Sequence, residues 1–538
     1  MHRPLFVLAA LAGFVRAKLV LVQSLTRHGN RAPNPSITSE CPLLYPTRRS
    51  VIETFGAIPQ GLTRMGMNQC LNAGSVLRQR YIVDMGFLPQ QYNPNADRWY
   101  FQARGQPRHQ QSAAAMAQGL FPPGTGPTTY PDRLQPVAIS SWRKDSDFVL
   151  NPPSGPCKAS IAAAAARWTK TVGLGLVQSN LEVVRALSAV CGTSIETAAD
   201  PATATKDVVD AIIFLNNEYL PAPPGITPSL RQRAIFLAQT MLMGKLFSEP
   251  AQRTVWLGDF PETLLRNMHC AIQAQVPTPT PTAFGWYGSN GAVAGTATPG
   301  TAMMCPDPNA APSYLGFVSS RELLFVLGLV LGIDFGVPGL PSSALPPAAT
   351  LSFELHTAEA GTAALEPFVV CRLIIPPRHV DQVNETRSRV LALGACANQE
   401  HCPLRVFAEI FGNLTVATGQ WRDVCDAEKT TPLVQRGAGL SQLSSSAIVA
   451  LCGIGVLCFA VGAFFGVARR RRKNAQRATL HAARYKQMST RGSPMRLLVS
   501  PLATPLDAQA EDHCNNEGDI VDNDETQSKA KQYGSINQ

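Results

Sequence analysis

Charge is scarce in this 538-residue chain: Asp, Glu, Lys and Arg together make up 16% of it, too little for a disordered polyelectrolyte or a coiled coil. Its 41 glycines and 43 prolines fall short of a collagen-like or low-complexity composition. The scattered cysteines match no zinc template, and no internal repeat and no nucleic-acid motif is present. What remains is an apolar-rich chain, 45% hydrophobic, long enough for about two to four domain-sized units.

The net charge of +10 sits mostly at the ends. Ten Lys and Arg and no acid lie between Arg469 and Arg496, and Arg3 and Arg16 precede residue 18. The tail beyond Ala468 carries 12 basic and 8 acidic residues, which leaves +4 for residues 18–446. A near-neutral domain of that size has no electrostatic footprint for DNA or RNA, so no nucleic-acid partner is expected.

Residues 1–17 read as a secretory signal, with a basic start, an apolar run over 5–14 and a small residue, Ala17, at the cleavage position. Residues 447–468 are 22 uncharged, mostly apolar residues, about 33 Å of helix and enough to span a bilayer. Arg469, Arg470, Arg471, Arg472 and Lys473 follow at once and place that side in the cytosol. The expectation is a single-pass type I membrane protein with 18–446 lumenal or extracellular and the lipid bilayer as a partner. Ten of the 13 cysteines lie in that region, an even number that permits up to five disulfides. Two sequons, at Asn384 and Asn413, lie on the same side. In the polar tail 469–538, Tyr533 to Ile536 resembles a tyrosine sorting signal, as does Tyr485 to Met488 more loosely; this predicts sorting adaptors as partners and an endosomal, lysosomal or cell-surface destination.

Chemistry concentrates just after the signal. Residues 18–25 form an apolar, β-branched run that reads as a buried strand, and it ends in Thr26-Arg27-His28-Gly29-Asn30-Arg31-Ala32-Pro33. Two arginines around a histidine offer permanently charged planar donors for phosphate oxygens, the imidazole can act as nucleophile, and the glycine lets backbone approach closely. Open α/β sheets bind ligands at the carboxyl ends of their strands, where this motif lies.

This constellation resembles the histidine acid phosphatases, the branch of the histidine phosphatase superfamily marked by Arg-His-Gly. The segments Gly61-Leu62-Thr63-Arg64-Met65-Gly66-Met67-Asn68-Gln69 and Leu77-Arg78-Gln79-Arg80-Tyr81 are similar to that family's first helix, and residues 99–102 read as a second strand. Arg108, with Ser112-Ala113 and Phe121-Pro122-Pro123 after it, corresponds to the family's third phosphate arginine. Ala103-Arg104-Gly105 stands where the family has Ser-Thr-Asp. The family's distal His-Asp pair falls on Arg321-Glu322, ahead of a helix over 323–333: Arg321 is expected to hold phosphate, and Glu322 to protonate the leaving oxygen once its pKa is raised. Glu359, beside His356, is the alternative acid, although His356 reads as a structural residue at the end of a strand that pairs with 368–374.

The resemblance implies an α/β fold, a mixed-sheet core flanked by helices with an inserted mainly helical cap domain, to which the apolar run adds one C-terminal transmembrane helix. The expected boundaries are signal 1–17, core 18–123 and 311–430, cap 124–310, stem 431–446, transmembrane helix 447–468 and cytosolic tail 469–538. It also implies a phosphate monoester substrate, a phosphohistidine at His28, and phosphate binding by Arg27, Arg31, Arg108 and Arg321. No metal or cofactor is expected, because the arginines supply the positive charge, and homodimerisation stays open. A non-hydrolysing phosphate-ester receptor and a phytase or inositol-polyphosphate phosphatase are the alternatives.

Overall fold

The computed structural model of the chain describes residues 17–92, 99–154, 157–275, 313–336, 345–358, 366–377, 387–418 and 420–430. The segments 1–16 and 447–468, the tail with Tyr485, Tyr533 and Ile536, the sequon at Asn384 and Glu359 lie outside the described residues. Among the described residues no helix is long and apolar enough to cross a membrane.

Strand β1 (Ala17–Arg27) is buried from Leu19 onward, polar residues included, as a central strand covered on both faces must be. Its buried polar side chains are bonded: Gln23 Nε2 donates to the Leu264 carbonyl at 2.8 Å, and the Ser24 and Thr26 hydroxyls pair with those of Tyr314 and Thr350 at 2.7 and 2.9 Å. Helices α1 (Ile37–Glu40), α2 (Arg48–Phe55) and α3 (Arg64–Arg78) follow, then β2 (Trp99–Ala103), α4 (Pro107–Leu120) and the short β3 (Ser140–Ser141). A helical stretch comprises α5 (Lys158–Trp168), α6 (Leu174–Ser179), α7 (Leu181–Cys191), α8 (Pro201–Asn217), α9 (Pro228–Phe247), α10 (Pro250–Leu257) and α11 (Phe260–Gln273). The chain returns through β4 (Tyr314–Ser319), α12 (Arg321–Leu331), β5 (Thr350–Ala358), β6 (Phe368–Ile375), β7 (Arg387–Leu391) and β8 (His401–Pro403), followed by α13 (Leu404–Thr418) and α14 (Trp421–Thr430).

The strands form one mixed sheet in the order β3-β2-β4-β1-β5-β6-β7, with β8 also on β6. The first four are parallel, and β5, β6 and β7 are antiparallel. Leu21, Leu25, Phe317 and Phe353 pack one face against α11, α12 and α13, while Val22, Phe101, Tyr314 and Val318 pack the other against α3 and α4. Helices α7, α8 and α9, together with α1 and α2, surround a separate apolar core that contains Val184, Leu187, Val209, Phe214 and Leu237. β3, at Ser140 and Ser141, adds an edge to the sheet beyond residue 123.

Disulfides join Cys41 to Cys191, Cys157 to Cys425 and Cys396 to Cys402, and Cys270 is also disulfide-bonded. Cys70 and Cys371 are buried free thiols, which corrects the expectation that all ten could pair. Cys70 sits under the site loop and Cys371 in the middle of β6, each surrounded by packed core rather than by another sulfur.

Candidate active site

Three parallel strands end on one level: Arg27 of β1 lies opposite Ser319 of β4, and Ala103 of β2 opposite Val318. The residues just past those ends converge. His28 follows β1, Arg104 and Arg108 follow β2, and Ser320, Arg321 and Glu322 follow β4. Its peptide nitrogen donating to the Ser319 carbonyl at 2.9 Å, His28 continues the sheet for one more bond. All six residues expected at the site (Arg27, His28, Arg31, Arg108, Arg321 and Glu322) line one cavity of about 340 Å³.

The loop after His28 is held by close backbone contact. A Cβ on Gly29 would stand 2.0 Å from the Gly66 carbonyl oxygen, and one on Gly66 would stand 2.1 Å from that of Asn30. Only two glycines permit this approach of the loop to the start of α3. Thr63 caps α3 by accepting from the Gly66 N–H, and Ser112 of α4 accepts from the Gly29 N–H at 3.2 Å.

His28 is 5% exposed. Its Nδ1 donates to the Gly29 carbonyl at 2.7 Å, which fixes the tautomer and leaves the Nε2 lone pair unprotonated. Burial first, then Arg108, Arg27 and Arg31, hold its pKa well below the usual histidine range, so the site favours the neutral ring. The imidazole of His109 abuts it edge-on.

The guanidiniums around it are crowded and dry. Arg27 donates through Nη1 to the Leu345 carbonyl, and Arg31 lies over the Phe214 ring at 4.8 Å while donating to its neighbour's carbonyl. Burial, with Arg321 and Arg31 as the chief like charges, lowers Arg27 and Arg108 to about 9. Such a cluster favours an anion in its midst.

Two expectations change. Arg321 does not point free into the phosphate seat: Nη1 and Nη2 form a bidentate pair with Asp210 of α8, both at 2.8 Å, and Nε faces Glu322 at 3.4 Å. Nor is the Glu322 pKa raised in the free site. Burial favours the acid, but Arg321, the Ser320 hydroxyl and Arg104 outweigh it and hold Glu322 down to about 2. Helix α12 begins at Arg321 with Ser320 as its cap residue, so the pair does open a helix, and it faces the cavity as well.

His356 lies elsewhere. It pairs with Leu19 at the opposite end of β1 from His28, stacks on Phe368 and faces Glu354, in keeping with its reading as a structural residue. Asn413 is exposed on α13.

The sequence reading missed the contributions of α8 and α9. Lys206 of α8 and Lys245 of α9 line the cavity, the first paired with Asp207 and Asp210 and the second with Asp200 and Thr203. Beyond α8, Glu218 accepts from Asn30 and Thr63, which ties the cap to the site loop. The one available signal was the run Lys206, Asp207 and Asp210 on the inward face of an otherwise apolar helix. Arg104, read only as a departure from a motif, also lines the cavity and donates to the Ser320 hydroxyl at 2.8 Å.

Comparison with known proteins agrees with the resemblance read from the motifs. Residues 18–159 match the model of the Histidine phosphatase superfamily (branch 2). A Caenorhabditis elegans protein named provisionally as an acid phosphatase is 36% identical over 108 residues, 20% of this chain. The match spans only 22% of that relative's length. Among solved structures, the phytase of Klebsiella sp ASR1 is similar with a TM-score of 0.51 at 15% identity, covering 74% of this chain and 96% of that one. The apo form of Hafnia alvei phytase is similar with a TM-score of 0.50 at 15% identity, over 74% and 97%. These two share the fold: a central mixed sheet flanked by helices.

Proposed function

From a chain whose residues 18–159 carry the histidine phosphatase pattern, we propose a phosphatase that hydrolyses phosphate monoesters through a phosphohistidine at His28. The observation that carries this reading is a buried, neutral imidazole with its Nε2 lone pair free, set among Arg27, Arg31 and Arg108 at the carboxyl ends of three strands.

In the first step the His28 Nε2 lone pair attacks phosphorus, and the P–O ester bond breaks with its electron pair going to the leaving oxygen. That oxygen takes the proton of the Glu322 carboxyl and departs as an alcohol. In the second step Glu322, now a carboxylate, takes a proton from water as the water oxygen bonds to phosphorus. The P–N bond returns its pair to Nε2, and phosphate leaves. The arginines stabilise the equatorial oxygens in both steps. Because the free site holds Glu322 ionised, the reaction is favoured by acidic pH and by the substrate's own negative charge, both of which promote its protonation.

Lys206 and Lys245 also line the cavity, each already paired with a carboxylate; the phytase names of the structural neighbours favour a substrate with more than one phosphate. A second reading, a phosphate-ester receptor without turnover, draws on the engagement of Arg321 by Asp210 and the ionised Glu322. The proposed setting is that of the sequence: a type I membrane protein with its ectodomain lumenal or extracellular, glycosylated at Asn413 and Asn384, and routed through the tail at Tyr533 and Ile536.

The test is hydrolysis of p-nitrophenyl phosphate and of phytate between pH 4 and 8 by the full-length chain in detergent, beside His28→Ala. Activity strongest at acid pH and reduced at least about a thousandfold in the variant is expected. Equal activity in the variant sinks the assignment of His28. Phosphate binding by a folded wild type without turnover selects the receptor reading, and phytate preferred over the small ester selects the polyphosphate one.

A further inference from the structure

An arginine in the position of the family's histidine changes the electrostatics of the acid beside it. A histidine is neutral above about pH 6.5, whereas an arginine keeps its charge at any pH the reaction uses. Left alone, Arg321 would do two things at once: reach into the phosphate seat beside His28 and hold Glu322 ionised. The structure supplies a counterweight from a different element. Resting on the phosphatase reading, we propose that Asp210 of α8 is a positioning residue of the reaction, clamping the Arg321 guanidinium away from the phosphate seat and offsetting its charge so that Glu322 can carry the leaving-group proton.

The geometry is specific. Both carboxylate oxygens of Asp210 accept from Arg321, at 2.8 Å each, a fork-on-fork pair that sets the plane and direction of the guanidinium. Asp210 is 4% exposed and Arg321 7%, so water neither screens nor replaces this contact. Lys206 holds Asp210 Oδ2 at 3.2 Å. The helix is in turn fastened to the site loop at two places: Asp207 accepts from Asn34 and Ser36 at 3.0 and 3.2 Å, and Glu218, one residue past the helix end, accepts from Asn30 at 2.6 Å. The clamp is therefore placed by the same loop that presents His28.

The charges that meet at Glu322 decide what Asp210 does. Arg321 faces it from its own helix, Arg104 from the end of β2, Arg27 and Arg31 from the end of β1 and Arg108 from α4. Against these cations stand Asp210 from α8, which also faces Arg31, and Asp147, which faces Arg104. Asp210 is the carboxylate bonded to the nearest of them. With its charge in place, a bound phosphate ester needs to overcome only the remaining cations for Glu322 to take a proton. Without it, Arg321 keeps Glu322 ionised and turns toward the ester.

The experiment compares full-length wild type, Asp210→Asn and Asp210→Glu on p-nitrophenyl phosphate across pH, recording kcat and KM separately. Glu322 must be protonated to act as the acid, so kcat is lost as pH rises through its pKa in the complex. Removing a negative neighbour lowers that pKa. The alkaline limb of Asp210→Asn is therefore expected about one pH unit lower than that of wild type, with KM decreased as Arg321 is released onto the ester, and Asp210→Glu is expected to restore the limb. A loss of kcat with the limb unmoved and KM unchanged or raised describes a merely structural residue and overturns the proposal. Should Asp210→Asn not fold, Arg321→Gln supplies the converse reading: its alkaline limb must rise by about one unit, and an unmoved limb overturns the proposal. If wild type shows no His28-dependent turnover, the phosphatase reading itself fails and this one with it. If wild type turns over and only the limb is insensitive to Asp210, the phosphatase stands and the clamp does not.

Discussion

The ring of His109 stands edge-on to that of His28, centroids 4.9 Å apart and planes at 86°. His109 is fully buried, and neither of its ring nitrogens has a hydrogen-bond partner among the described residues. Burial first, then His28 and the arginines, keep it uncharged. It thus serves as an apolar wall for His28, the proposed nucleophile, at the expense of two unsatisfied nitrogens.

That assignment separates two substitutions. His109→Leu keeps most of the volume and removes the unbonded nitrogens, so stability is expected within about 1 kcal/mol of wild type or above it. His109→Ala leaves a cavity beside His28 and is expected to cost about 2 kcal/mol or more, with a fall in kcat as the nucleophile loosens. Denaturant unfolding and kcat measured together check both. A Leu variant destabilised as much as the Ala variant would mean that the nitrogens are bonded in solution.

Five guanidiniums gathered in one pocket repel each other, and Arg27 and Arg108 carry that cost as pKa values pushed down to about 9, first by burial and then by like charge. A phosphate anion removes the imbalance. Inorganic phosphate at about 100 times its Kd is expected to stabilise the fold by about 2.7 kcal/mol, read as a rise in Tm. Arg108→Leu is expected to leave the ligand-free protein as stable as wild type or more so, and to lose most of the phosphate response. A variant that is less stable without phosphate yet keeps the full response would remove Arg108 from the anion seat.

Away from the site, Glu354 of β5 is buried beneath Arg80 and Arg372, both bonded to its Oε1 at 2.9 Å, with the Tyr81 hydroxyl donating to the same atom at 2.8 Å. Burial alone would raise its pKa, but His356 and the two arginines hold it well below the carboxylate range. A depressed acid contributes stability that is complete above its unfolded pKa, about 4.3, and is lost only as pH falls through the folded value. Glu354→Gln is therefore expected to cost about 3 kcal/mol or more at pH 7 and the same at pH 5. The gap from wild type should narrow only below about pH 4. A gap that already closes between pH 7 and 5 would show that the network is not ionised as described.

Much of this protein was determined by local sequence. The run 18–25 reads as a buried strand, because it is mostly apolar with no glycine or proline, and the Arg-His-Gly that ends it then sits at a carboxyl edge. Arg27, His28, Arg31 and Arg108 were therefore legible as one cluster, which the fold gathers around one cavity, and the strands read at 99–102 and 351–355 form part of the sheet. Arg321 and Glu322 were legible as positions but not in their charge state.

What only the tertiary structure decided is which charges meet. Asp210 lies 111 residues from Arg321 along the chain, and nothing in the periodicity of α8 says that its acidic face turns to the core site rather than to water. The two free thiols, Cys70 and Cys371, could not be told from the bridged ones by count, since pairing depends on which sulfurs the fold brings together. Nor could the sequence tell whether burial or neighbouring charge governs Glu322, because both act at once and their balance is set by distances across the cavity. Local pattern specifies the elements and the position of His28. The long-range packing of α8 onto the sheet ends specifies the electrostatics around it.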